Sequence, residues 1–308
     1  MQLDRTSIVI AQRSADELLD LSLAVLRVYW KKLLPLAILG ALPFALLNFI
    51  FLYPITDYSQ LEIASSDYTT AEGFRIRYLW IMFCLVFLQA PLAMSGVSYF
   101  LGQAVFIEEP SLRQVAGVVR SRLLPIAWVL GIYRGAILSL LFSAWFFANP
   151  AYYTSWGFVL YGMLAAIAFY LIRCFRPFAP EILLLERCPL WKKSKPPVDE
   201  QVYSKRSARI HSGSGDLFSI QILISFVSIV FIAVMCAGSL FANGAVIGVW
   251  RWGWWMDMIF YPAILWLMSL WETVIRFLLY LNTRIRLEGW EIFLRLNAEL
   301  SRLIEGRS

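Results

Sequence analysis

Residues 217–242, LFSIQILISFVSIVFIAVMCAGSLFA, carry no charged side chain. They run longer than the roughly 20 apolar residues with which a helix crosses the hydrocarbon core of a bilayer. Residues 33–53, 78–106, 123–147, 156–172 and 256–281 read the same way. Together they predict an all-α, polytopic membrane protein of six transmembrane helices, because a helix satisfies its own backbone hydrogen bonds where no water can. Pro35 and Pro43 are expected as kinks in the first span. The second span exceeds what a bilayer needs, so a tilt or a bend at Pro91 is expected. Ser98 and Gly102, four residues apart, offer a small face for close helix approach.

Composition agrees with lipid as the solvent. Hydrophobic residues make up 60% of the chain and charged residues 16%, and the mean hydropathy is +0.66. A soluble domain of that composition would expose apolar surface to water. The pieces left outside the spans are too short for a soluble domain of ordinary size. The net charge of +6 raises nucleic acid as a partner, but the basic residues flank apolar segments, where anionic lipid headgroups meet them. No nucleic-acid partner is expected.

Those basic residues also orient the chain, since short loops rich in Lys and Arg stay in the cytoplasm. Five precede residue 33, three lie in 106–122, nine in 173–216 and six from Arg276 onward, all on one side of the six-span topology. Only Arg75, Arg77 and Arg251 fall on the other, and Arg134 alone lies deep in a span. Both ends are therefore expected inside. The first 32 residues lack the basic start, short apolar core and cleavage site of a signal peptide, and the N-terminus is expected to be retained.

Residues 1–32 are expected to form a cytoplasmic interfacial helix that starts at the capping box Ser14 to Glu17 and carries a polar stripe of Asp16, Asp20, Arg27 and Lys31. The six-span bundle occupies 33–281. It has an acidic outer loop at 54–76, a short surface helix at 110–122 and a cytoplasmic loop at 173–216, within which 177–187 reads as interfacial. Residues 282–308 form an amphipathic cytoplasmic helix, with Arg284, Glu288, Glu291 and Arg295 on one stripe and Ile285, Ile292 and Leu296 on another. Its apolar face seeks the membrane surface, the underside of the bundle or another subunit.

Few side chains suggest chemistry. Arg134 at mid-bilayer costs at least about 3 kcal/mol unless it is paired or hydrated. Glu272 lies at a similar depth, so an Arg134 to Glu272 ion pair is expected, with Gln89 adding a hydrogen bond. The competing reading pairs Glu272 with Arg276 on its own helix and leaves Arg134 packed against carbonyls and water. Trp250, Trp252, Trp254 and Trp255 form an outer aromatic belt, or alternatively a platform for a choline-like headgroup, a sugar or a protein. Lys192, Lys193, Lys195, Lys205, Arg206, Arg209, Arg284, Arg286 and Trp290 are the expected cytoplasmic contacts to lipid or partner. The four cysteines read as reduced, and the single His211 as a solvated loop residue. No catalytic residue, metal site or cofactor is expected, because no phosphate loop, dinucleotide fingerprint, zinc-protease or hydrolase motif occurs.

The segment YLNTRIRLEGWEIFLRLNAEL, Tyr280 to Leu300, resembles the tail of bacterial six-span membrane proteins similar to the membrane domain of some glycerophosphodiester phosphodiesterases. In those proteins the last span runs into a basic helix, matched here by Arg284, Ile285, Arg286, Glu288, Gly289 and Trp290. The resemblance implies a bacterial cytoplasmic (inner) membrane protein without an assigned reaction. This sequence holds no soluble phosphodiesterase barrel, so neither that hydrolysis nor any functional residue is carried over.

The sequence thus favours a non-enzymatic membrane subunit or scaffold whose cytoplasmic helices contact anionic lipid, a protein partner or a second copy. A transporter or channel using Arg134, Glu272 and Gln89 is the alternative. An intramembrane lipid-modifying enzyme is third.

Overall fold

A computed structural model describes residues 13–64, 68–104, 110–147, 156–191, 201–212 and 216–288. Every regular element among them is helical, with no strand. In chain order these are α1 (Ala15–Ala64), α2 (Tyr68–Ala93), α3 (Ser95–Ala104), α4 (Leu112–Ser121), α5 (Leu123–Ile126), α6 (Ala136–Phe147) and α7 (Trp156–Phe175). Then follow α8 (Ala179–Leu184), α9 (Tyr203–Ser212), α10 (Leu217–Ile247) and α11 (Tyr261–Glu288). π-Helical turns at Ala127–Tyr133 and Met256–Phe260 lead out of α5 and into α11.

Four of these helical stretches are long and apolar enough to cross a membrane: Ala15–Ile55, Arg75–Ala93, Leu217–Ile247 and Met256–Leu287. The pair Leu112–Ser121 and Leu123–Tyr133, bent by 69°, makes a fifth if counted as one broken span. Several apolar helices of this length are what a multi-pass membrane protein presents.

The expected third span, 123–147, is not one helix. Arg134 leaves helical geometry at φ −104° and ψ 6°, and Gly135 follows at φ +84°, a left-handed conformation that a side chain resists. Span two is also divided, at Met94, shortly after Pro91. Pro91 lacks the N–H that a continuous helix would use.

The N-terminal helix leads into the first span as one unbroken helix, α1, through Pro35, Pro43 and Pro54. Its first turns dock antiparallel on α11. Asn282 accepts from the Arg13 N–H and donates to the Arg13 carbonyl, each at 3.0 Å, and the Trp271 indole donates to Ser22 Oγ at 2.9 Å. Ser22, the polar interruption of an apolar face, is thereby buried with a partner. The stretch 54–76, expected as a loop, is helical up to Ala64 and again from Tyr68.

Residues 177–187 depart furthest from the interfacial reading. Their helix α8 lies inside the bundle, where Ala179, Glu181, Ile182, Leu183 and Leu184 are all at most 1% exposed. Room for it comes from the small face of α3, because a Cβ added at Gly102 would overlap the Leu185 side chain. At 110–122 the short helix forms as α4, with Ser111 and Gln114 closing a reciprocal capping box. The C-terminal amphipathic helix falls outside the described residues from position 289 onward, Trp290 included. Its described beginning, through Glu288, simply extends α11.

Candidate functional site

One face of α11 carries Glu272, Arg276, Tyr280 and Arg284, each four residues after the last, so that they rise along the helix over about 18 Å. Each meets a carboxylate or a cation from another part of the chain. Glu272 lies 3.8 Å from Arg173 of α7. The Arg276 Nε donates to Glu181 of α8 at 3.0 Å, and its Nη2 to Ser98 of α3 at 3.1 Å. The Tyr280 hydroxyl donates to Glu186 at 2.6 Å, and Arg284 approaches the same carboxylate at 3.6 Å. The stripe is a polar ladder along α11.

Arg134 does not reach Glu272. Its guanidinium donates instead to the backbone carbonyl of Arg176, and it is only 2% exposed. The break at Arg134–Gly135 carries the side chain toward the end of α7, while Arg173 takes the expected place beside Glu272. Gln89 is separate from both, locked by two reciprocal amide hydrogen bonds to Asn48 at 2.8 and 2.9 Å. The pairing of Glu272 with Arg276 is also absent, since Arg276 turns to Glu181.

Arg134, Arg173 and Arg276 feel one another's charges and those of Glu181 and Glu272. Three guanidinium groups thus face two carboxylates in a mostly buried cluster, leaving one positive charge in excess. Glu181 is fully buried, and its second oxygen has no hydrogen-bond partner.

At its Arg284 end the ladder opens into a cleft of about 650 Å³ between α3, α9, α11 and the chain after α8. Arg206 grips Glu186 through two nitrogens, with Nη2 at 2.8 Å. Arg206 and Arg284, expected as lipid or partner contacts, therefore turn inward on a carboxylate. Lys205, Arg209 and Arg286 stay exposed, and Lys192, Lys193 and Lys195 lie outside the described residues. Cys188 lines this cleft, but burial pushes its thiol up to about 11, away from the thiolate that nucleophilic chemistry needs. Arg187, also in the lining, adopts φ +54°.

His211 is not a solvated loop residue. Its ring stacks on Phe178 at 5.2 Å and its Nδ1 lies 2.6 Å from the Ser207 carbonyl. Burial pulls its pKa down to about 4, so the ring is neutral.

At the opposite end of the Met256–Leu287 stretch, the Asp257 carboxylate accepts from the Trp252 indole at 2.6 Å and lies 3.6 Å from Arg75. Trp250, Trp254 and Trp255 remain exposed, as side chains facing an interface would be. Between Asp257 and the ladder, α11 buries Ile264, Leu265, Trp266 and Met268. Among the described residues no three His, Cys, Asp or Glu side chains come together at metal-binding range.

The members of this site that the sequence reading does not single out are Arg173, Glu181, Glu186 and Tyr280, and Arg276 enters that reading only as a partner for Glu272. The four-residue spacing on α11 is the sequence signal that points to two of them. Comparison with protein-family models, curated proteins and solved structures finds no match to this chain.

Proposed function

We propose that the chain is a six-span protein of the bacterial cytoplasmic membrane, with both ends inside, acting as a non-enzymatic subunit or scaffold that holds anionic lipid and partner protein at its cytoplasmic side. The observation that carries this reading is the ladder itself. Its charges are engaged by neighbouring helices and lie in the half of α11 from Glu272 onward, whereas a conduction path needs polar groups along the whole span. The excess of Lys and Arg on the same side favours anionic headgroups.

Reconstitution in phosphatidylglycerol liposomes tests it. A scaffold gives no proton or ion flux above protein-free vesicles, and a stable complex survives extraction in mild detergent. Flux that disappears in Arg134→Gln would replace this reading with transport. The transport alternative draws on one feature, the second carboxylate oxygen of buried Glu181, which has no hydrogen-bond partner.

A further inference from the structure

A second cavity, of about 410 Å³, lies between α2, α7, α10 and α11, apart from the cleft at the Arg284 end. One wall is a row of rings. Trp80, Phe83 and Phe87 follow one another along α2 with centroids 5.8 and 6.4 Å apart, and Tyr170 of α7 stands 5.6 Å from Phe87. Among the described residues, Glu272 is the single charged side chain in the lining. The groove opens outward between α7 and α10, where Ile167 and Phe226 line it and are 50% and 64% exposed.

Glu272 defines what the groove lacks. Its carboxylate lies 3.8 Å from Arg173, near enough for an ion pair and too far for a hydrogen bond, and no described residue donates a hydrogen bond to it. Its side chain is 22% exposed, so it can be approached from the groove that it lines. Neighbouring hydroxyls do not supply the donor. Ser225 donates to the Gln221 carbonyl and Ser269 to the Leu265 carbonyl, each at 2.9 Å, while the Ser228 hydroxyl and the Trp80 indole reach no partner at all. A carboxylate facing an apolar groove is costly until a donor meets it.

Charge sets the class of occupant. With no cation in the lining, an anion would meet only Glu272. A cation would meet Arg173, which sits 4.1 Å over the Phe87 ring beside Glu272 and belongs to a cluster already one positive charge in excess. What fits is a neutral group with a hydrogen to donate, carried on an apolar body.

We propose that this groove is a lateral site for one neutral, hydroxyl-bearing lipid, of which a diacylglycerol is the simplest form. Its hydroxyl donates to Glu272, and an acyl chain runs from Phe87 past Phe83 to Trp80, about 10 Å along α2. The inference rests on α2, α7, α10 and α11 lying in lipid and goes beyond the anionic-lipid reading of the cytoplasmic side.

The test uses the full chain in phosphatidylcholine vesicles that carry a diacylglycerol with a photoactivatable diazirine in one acyl chain. Irradiation is expected to label 163–170 and 222–232 about tenfold more than the same lipid with its hydroxyl acetylated. Phosphatidic acid with that chain, and an analogue with an ammonium in place of the hydroxyl, should label no better than the acetate. Glu272→Gln offers a weaker acceptor and should bring the preference for the hydroxyl below about threefold. Ile167→Trp, which narrows the mouth, should lower the diacylglycerol labelling itself. Gel filtration reports folding, and if Glu272→Gln fails to fold, the analogues on the unaltered chain decide together with Ile167→Trp. Equal labelling by the acetate, or stronger labelling by phosphatidic acid or the ammonium analogue, would overturn the proposal. So would a hydroxyl preference that survives in folded Glu272→Gln, or labelling that folded Ile167→Trp leaves unchanged.

Discussion

α10 and α11 are both long and apolar enough to cross a membrane, yet they occupy opposite places in the bundle. In their most apolar windows, 11% of α10 is buried against 89% of the Met256–Leu287 stretch, and α10 is the more hydrophobic of the two. In water that order would be reversed. In lipid, apolar surface gains nothing by leaving the solvent, so what is drawn inward is the helix whose polar groups need partners. Glu272, Arg276, Tyr280 and Arg284 place α11 at the centre, and their absence leaves α10 at the rim.

The sharpest way to break this contrast is to remove a buried charge from α11. Arg276→Met leaves Glu181 without its ion pair in a site closed to solvent, and about 3–5 kcal/mol of stability should be lost in thermal unfolding in detergent. Loss within about 0.5 kcal/mol, the value for an ordinary surface change, would mean that the ladder does not hold the helix.

Acidification tests the layer packed beneath α8. The neutral His211 ring has a folded value near 4 against an ordinary 6.5, so its stabilising contribution is complete above pH 6.5. It shrinks as pH falls toward 4, by at most about 3 kcal/mol. His211 is the single histidine, so one labelled imidazole signal in magnetic resonance reads the titration directly. A midpoint near 6.5 would place the ring in water and contradict the stacking on Phe178.

Close approach of α1 to α2 gives the next effect. A Cβ at Gly40 would overlap the Ala93 carbonyl oxygen, so Gly40→Ala should destabilise by about 1–3 kcal/mol. Asn48→Ala, which strips Gln89 of both amide partners, should cost a similar or smaller amount, about 1–3 kcal/mol. Asn48→Leu combined with Gln89→Leu should cost less than the single change, because no buried amide is left unpaired. At the far end of the scale, Val234→Ala on the exposed face of α10 should change unfolding by no more than about 0.5 kcal/mol.

Helical character and apolar length were legible in the sequence because each depends on a run of neighbouring residues. The long stretches of α1, α2, α10 and α11 follow the apolar runs closely. The interruptions were less visible. Pro91 marks the division near Met94, but the break at Arg134 depends on where a guanidinium finds a carbonyl, a tertiary fact. Partner choice failed for the same reason. Matching depths paired Arg134 with Glu272, yet depth fixes only one coordinate, and Arg173 stands closer around the bundle. PFAPEILLLER reads as interfacial because it is too short to span and holds two carboxylates. What no local pattern conveyed is that Arg276, Tyr280 and Ser98 converge to receive Glu181 and Glu186 inside.

The central claim is that the polar stripe of α11 is satisfied by specific partners, and a double-mutant cycle on Glu181 and Arg276 tests it most directly. Glu181→Gln, Arg276→Gln and their combination would be compared by reversible unfolding in detergent. A coupling of about 1–3 kcal/mol, with the double variant more stable than the sum of the single losses, is the predicted result. Losses that add within about 0.5 kcal/mol would contradict the pairing and the placement of α8 against α11.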